Sequence, residues 1–173
     1  MEQGLIHIYC GDGKGKTTAS LGLALRAAGR GLRVLYVQFF KDGNSSEFAL
    51  LERVENITFL RPERSFGFYW TLSEEERAEA RRFYSDHLEK AITMAADYDL
   101  LVLDEAMSAC STGVIDEGRL LCFLKEKPAG LEVVLTGRNP SEAMCAAADY
   151  ITEMCKKKHP YDRGIPARPG IEY

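Results

Sequence analysis

No C-x-x-C pair occurs in the chain. Its five cysteines (Cys10, Cys110, Cys122, Cys145 and Cys155) are odd in number and widely spaced. This argues against a disulfide framework and reads as reduced, mostly buried thiols of a cytosolic protein. Histidine is scarce too. His7, His87 and His159 are scattered, and although Cys155 and His159 lie four apart, no second pair joins them, so a zinc site is not expected. No apolar run approaches the roughly 20 residues that span a bilayer. The opening MEQGLIHIYCGDG has no basic stretch followed by a long apolar segment, so neither a secretory leader nor a membrane anchor is expected, and the expected compartment is the cytoplasm. Positive charge is not in excess. The 22 Lys and Arg against 26 Asp and Glu leave a net charge of −4, which speaks against a nucleic-acid-binding surface. Internal repeats, low-complexity tracts and linkers are missing as well.

What is present suits a single domain over residues 1–173. The 46% hydrophobic residues can supply a sizeable core. Short apolar runs at 5–10, 33–40, 57–60, 99–105 and 131–137 read as strands, and 150–154 is a candidate sixth. Between them, helical spacing appears at 16–31, 45–54, 74–96, 116–127 and 140–148. Ser73 and Glu76 fit an S-x-x-E capping box that starts the longest helix. Strands alternating with helices imply crossover connections and a mostly parallel sheet covered on both faces. The ending KKKHPYDRGIPARPGIEY (156–173) breaks the pattern with three prolines and two glycines, and is expected to wrap the surface irregularly.

The first strand runs into CGDGKGKTTAS (10–20), which opens a helix. The phosphate-loop pattern G-x-x-x-x-G-K-[ST] is met at its end by Gly15, Lys16 and Thr17, but Cys10 stands at its first glycine. Gly11, Gly13 and Gly15 can turn successive backbone N–H groups inward as an anion nest, and the following helix presents its positive end to the same place. Asp12 and Lys14 alternate with the glycines. Lys16 adds a point charge, Thr17 a hydroxyl suited to Mg²⁺, and Thr18 follows. A bare Gly-rich turn would need neither the lysines nor the threonines. A dinucleotide fold wants G-x-G-x-x-G and a ribose-binding carboxylate roughly 20 residues on, whereas here the second strand ends in Gln38, Phe39, Phe40 and Lys41. Asp104 and Glu105 end a core strand, where phosphate-loop enzymes place a carboxylate that helps hold Mg²⁺. A solvated acidic helix start is the competing reading. Arg138 follows the fifth strand, at the carboxyl edge where such sheets bind ligands, although a surface salt bridge would also suit it.

A second unusual stretch, SFGFYW (65–70), has four aromatic residues in six and the chain's single Trp. Large apolar rings in a loop need a cover. Packing beneath the long helix, or against a partner subunit, would provide one.

The whole chain resembles the corrinoid adenosyltransferases of the cob(I)alamin and cob(I)yrinic acid a,c-diamide type. The resemblance rests on GDGKGKTTA, GFYW, LLVLDE, VVLTGR and the ending KHPYDRGI…GIEY. It implies a three-layer α/β/α fold with a phosphate-loop NTPase-like, recombinase-like core. It also implies transfer of the 5′-deoxyadenosyl group of ATP to Co(I) of a corrinoid, with release of triphosphate. The expected ATP-binding residues are Gly11, Asp12, Gly13, Lys14, Gly15, Lys16, Thr17 and Thr18. Lys16, Thr17 and Arg138 would stabilise the departing charge, and Thr17, Asp104 and Glu105 would hold Mg²⁺. By motif, Phe68 and Trp70 would lie beneath the corrin and keep cobalt four-coordinate, with Phe66 left to the core. A homodimer and a flavoprotein electron donor are further implications. Departures from the family pattern are Asp12 in place of the usual Asn, Asp42 where glycine is common, and a start close to the first strand, where the family often carries a segment that helps close the corrinoid site. Lys41 and Glu47 are further candidates to face the ligand. The competing activities are a phosphate-loop ATPase or small-molecule kinase, and a non-catalytic corrinoid carrier.

Overall fold

The computed structural model describes residues 2–40, 48–67 and 69–172. Phe68, Lys41, Asp42 and Glu47 therefore lie outside the described residues. The described residues form six strands: β1 (Ile6–Cys10), β2 (Val34–Gln38), β3 (Ile57–Leu60), β4 (Leu100–Asp104), β5 (Glu132–Thr136) and β6 (Tyr150–Glu153). They form one sheet in the order β3-β2-β4-β5-β1-β6, and every pairing is parallel. All the strands therefore end on the same side, and the loops after β1, β2, β4 and β5 share one edge.

The helices are α1 (Lys16–Gly29), α2 (Phe48–Leu51), α3 (Glu74–Met94), α4 (Ala106–Ser111), α5 (Glu117–Glu126) and α6 (Glu142–Ala147). Side chains alternate across the sheet. Val34, Tyr36, Leu100, Val102 and Val134 face α1, whose buried Ala24, Ala27 and Ala28 are small enough to let the helix lie close. Leu35, Val37, Leu101, Leu103, Val133 and Leu135 face the opposite layer, with Ala80, Tyr84, Leu88 and Ala91 of α3 and Leu120, Phe123 and Leu124 of α5. Strands wetted on neither face read as unbroken apolar runs, and β2 and β4 are buried at every position.

The capping box predicted at Ser73 is formed in full: the Glu76 N–H donates to Ser73 Oγ and the Ser73 N–H to a Glu76 carboxylate oxygen. The helix predicted over 45–54 is described only as the single turn of α2. The sequence reading missed α4: it is as short as α6, but Ser141 caps α6, whereas Glu105 at the start of α4 makes no side-chain cap bond among the described residues. The thiols also differ from the expectation of mostly buried cysteines. Cys10 is buried, but Cys122 and Cys155 are exposed. Cys122 falls off the inward stripe of Leu120, Phe123 and Leu124, and Cys155 follows β6, an edge strand exposed along its whole length. Among the described residues, no helix is long and apolar enough to cross a membrane.

Candidate nucleotide site at the carboxyl edge of the sheet

The loop after β1 and the start of α1 line an open cavity of about 660 Å³ with Asp12, Gly13, Lys14, Gly15, Lys16, Thr17 and Thr18. Leu21 and Leu50 supply an apolar wall, and Glu105 and Arg138 close the side beyond β4 and β5. Gly15 precedes α1 at φ 122, a conformation that strains any residue with a Cβ, and no side chain among the described residues caps this helix. Lys16, Thr17 and Thr18 of its first turn line the cavity. Lys16 is 8% exposed and donates to the carbonyls of Gly11 and Gly13, both at 2.8 Å. Its ammonium is thus held inside the turn of its own loop. Burial depresses its pKa, partly countered by Glu105, while Arg138 adds to the depression.

Gly11 and Gly13 are glycines for a second reason. A Cβ at Gly11 would stand 2.5 Å from the Met154 carbonyl oxygen, and one at Gly13 2.6 Å from it. The loop packs this tightly because the Gly13 N–H donates to that oxygen at 2.6 Å, just past the end of β6. Gly13→Ala is expected to cost about 1–3 kcal/mol, as backbone must move to admit the methyl. A fall in thermal midpoint of several degrees checks this, and an unchanged midpoint would show that β6 gives way freely.

Asp104 ends β4 and is fully buried. Its Oδ1 accepts from Thr17 Oγ1 at 3.0 Å and from Thr136 Oγ1 at 2.7 Å, and its Oδ2 accepts from Gln38 Nε2 at 3.2 Å. Gln38 stands directly opposite Asp104 in the sheet register. On the far side, His87 Nε2 donates to the Gln38 carbonyl at 3.1 Å, and burial holds the His87 pKa below its ordinary value. Asp104 thus acts as the hub that orients the phosphate-loop threonine. Glu105 has a left-handed backbone, φ 63. Such a conformation costs a non-glycine residue about 1 kcal/mol or more and persists where neighbours impose it. Here its N–H donates to Thr136 Oγ1 at 2.9 Å, and its carboxylate accepts from Ser108 Oγ at 2.6 Å.

Asp12, the departure from the family loop, has a local partner. Its Oδ1 accepts the Lys156 N–H at 2.9 Å, and this bond lowers its pKa. Lys14 reaches the C-terminal tail, donating to the Ile171 carbonyl at 2.7 Å and to Glu172 Oε1 at 3.1 Å. His159, Gly170, Ile171 and Glu172 complete the cavity wall. The sequence reading assigned no role to these residues, nor to Thr136 and Gln38. The ending KHPYDRGI…GIEY was the available signal for the tail. Thr136 and Gln38 carried none beyond closing apolar strands.

The aromatic stretch divides in two. Phe66 packs on Phe83 and Tyr84 of α3, with ring centroids 5.5 and 5.9 Å away. Tyr69 lies under the Arg77 guanidinium at 5.5 Å, and its hydroxyl accepts from Arg81 at 3.1 Å. Trp70 is 72% exposed, in a short 3-10 turn spanning Tyr69–Thr71. The long helix therefore covers Phe66 and Tyr69 and leaves Trp70 largely in solvent.

A parallel sheet with a Gly-rich loop feeding a helix at its carboxyl edge defines an α/β fold of the phosphate-loop NTPase type. Solved structures agree on the fold. A KaiC-like protein from Pyrococcus horikoshii superposes with TM-score 0.55 at 17% identity, over 91% of this chain and 75% of that one. The EssC protein (ATPases 2 and 3) from Geobacillus thermodenitrificans gives TM-score 0.51 at 15% identity, over 98% of this chain and 36% of that longer one. Residues 2–173 match the family described as ATP:corrinoid adenosyltransferase BtuR/CobO/CobP. The corrinoid adenosyltransferase of Pseudomonas aeruginosa is 33% identical over 99% of this chain and 85% of its own length. That of Escherichia coli is 33% identical over 99% of this chain and 87% of its own. The chain belongs to the ATP:corrinoid adenosyltransferase family.

Proposed function

We propose that this protein transfers the 5′-deoxyadenosyl group of ATP to Co(I) of a corrinoid, forming adenosylcobalamin or a precursor of it. The electron pair of Co(I) attacks C5′ of the ribose and a Co–C bond forms. The C5′–O bond breaks, and its electrons leave with triphosphate. Cobalt passes formally from Co(I) to Co(III). The observation that carries this reading is a phosphate-loop cavity with Lys14, Lys16 and Arg138 on its walls, in a chain that matches the family along nearly its whole length. A nucleophile as strong as Co(I) needs no activating base from the protein. What the protein must supply is alignment and stabilisation of charge on the leaving group. Gly11, Gly13, Gly15 and Thr18 shape the nest, Lys16 and Arg138 are cations at the developing charge, and Asp12 tethers the loop to the segment after β6.

The oxygen donors at the cavity suit a hard divalent cation. Thr17 and Glu105 would hold Mg²⁺ with Asp104 behind them, and the ion would neutralise phosphate charge. Both Asp104 oxygens are already engaged by protein donors, which suits an orienting role for this carboxylate. Trp70, and Phe68 by motif, would meet the lower face of the corrin. A cytoplasmic homodimer served by a flavoprotein reductant completes the reading.

The test is anaerobic. Protein, Mg-ATP and chemically reduced cobalamin are mixed in dim light while the Co(I) absorption and the released phosphates are followed. Loss of Co(I), a light-sensitive alkylcobalamin spectrum and stoichiometric triphosphate are expected. Orthophosphate release that ignores the corrinoid would instead mean an ATPase, and ADP release without orthophosphate a kinase. Trp70→Ala is expected to leave the thermal midpoint and ATP affinity within error, since the ring is 72% exposed, but to abolish the four-coordinate Co(II) spectrum. An unchanged spectrum would remove Trp70 from the corrinoid site.

A further inference from the structure

The chain leaves β6 and returns to the phosphate loop twice. The first return is at Met154 and Lys156, which bind Gly13 and Asp12. The second comes at the end of the tail, where Lys14 Nζ donates to the Ile171 carbonyl at 2.7 Å and to Glu172 Oε1 at 3.1 Å. Arg168 grips the same carboxylate. Its N–H and Nε donate to Glu172 Oε2 at 2.9 and 3.1 Å, and its Nη2 donates to Oε1 at 3.1 Å. These bonds hold the Glu172 pKa down to about 2, chiefly through Arg168. Glu172 lines the same cavity as Lys16, Thr17 and Arg138. An ionised carboxylate thus forms part of the wall of a cavity built for anions, joined to one of its cations.

Such a carboxylate and a polyphosphate oppose each other at Lys14. Their like charges repel, and they compete for one ammonium. The Lys14–Glu172 pair is also weak enough to exchange, because the Lys14 side chain is 48% exposed and ion pairs of that kind contribute little. Polyphosphate carries more charge than one carboxylate and has the loop amides and Lys16 to add to Lys14, so it wins the competition.

We infer that Glu172 is an exchangeable counter-ion of Lys14, which closes the C-terminal tail over the phosphate cavity and yields the ammonium when nucleotide phosphates enter. The inference rests on the reading that this cavity binds the phosphates of ATP. It makes the segment from Arg168 to Glu172 a strap that responds to nucleotide, with Glu172 acting as a positioning residue through Lys14. Recapture of Lys14 by Glu172 would then help triphosphate leave.

Equilibrium dialysis of the full chain with Mg-ATP and with inorganic triphosphate tests this, alongside hydrogen exchange of the tail amides in the unmodified protein. Glu172→Gln keeps the shape and removes the charge. It is expected to bind both anions roughly three- to tenfold more tightly, as an opposing charge and a competitor are lost together. In the unmodified chain, the Ile171 and Glu172 amides, which donate to the Arg168 carbonyl at 3.2 and 3.0 Å, are expected to exchange faster when Mg-ATP saturates the site. Unmodified protein that binds ATP while Glu172→Gln binds it equally or more weakly overturns the strap alone. Tail amides that become better protected with Mg-ATP do the same. Unmodified protein that binds neither anion overturns the phosphate-cavity reading and the strap with it.

Discussion

Lys16→Ala is expected to lower ATP-dependent adenosyl transfer by about 10²–10³-fold, the usual loss when one preorganised charge stabiliser is removed. The fold should survive. Lys16 is 8% exposed, and its protein partners are two carbonyls of its own loop. Deleting it frees those carbonyls, which costs stability, but also removes a charge that burial had penalised, which returns some. The two effects oppose each other, so the thermal midpoint is expected to move by only a few degrees. ATP affinity by dialysis and turnover by the anaerobic cobalamin assay, read beside a melting curve, separate site from fold. A well-folded variant with undiminished turnover would sink the phosphate-loop assignment.

Asp104 should show the opposite balance, with a large effect on stability as well as on activity. Asp104→Ala takes the acceptor from the Thr17 and Thr136 hydroxyls and from the Gln38 amide, all around a fully buried position. Each buried donor that loses its acceptor costs about 1–3 kcal/mol. Relief of the buried carboxylate's own desolvation offsets part of this. A net loss of about 3 kcal/mol is expected in chemical denaturation. Asp104→Asn separates the two roles. Its amide oxygen can still accept from the threonines. Its NH₂ would face the Gln38 amide, whose Oε1 is buried with no hydrogen-bond partner among the described residues. A flip of Gln38 presents that oxygen as an acceptor, so the Asn variant should lie within about 1.5 kcal/mol of the parent. Its Mg²⁺-dependent turnover should still fall about 10- to 100-fold, as happens when a group that supports a metal ligand is changed. Equal stabilities for the Ala and Asn variants would refute the hub role. An Asn variant with parental Mg²⁺ dependence would detach Asp104 from the metal.

Much of this architecture was legible in the residues. Apolar runs buried on both faces announced a parallel sheet because nothing polar needs to alternate there. The capping box at Ser73 and Glu76 was visible because its chemistry is local. The glycine, lysine and threonine spacing of 11–18 announced a tight strand-to-helix turn for the same reason: its geometry closes within a few residues. Stretches without local closure were harder to read. Helix α4 lacks the capping serine that marks the equally short α6, and the left-handed backbone of Glu105 is imposed by Thr136 across the sheet. The aromatic stretch was recognisable as unusual, but only α3 decided that Phe66 would be covered while Trp70 stayed 72% exposed.

By itself, then, the sequence determined most of the elements, the family and the Gly-rich turn that opens α1, since each depends on neighbours in the chain. Tertiary structure decided the partners. The order β3-β2-β4-β5-β1-β6 brings Asp104 to Thr17 from 87 positions away, to Gln38 from 66 and to Thr136 from 32. The same fold returns Glu172 to Lys14 across 158 positions. No local pattern encodes such pairs, because each residue's own neighbours are satisfied without them. They exist because parallel strands deliver their ends to one edge, where a buried carboxylate must find donors and an exposed lysine finds a carboxylate.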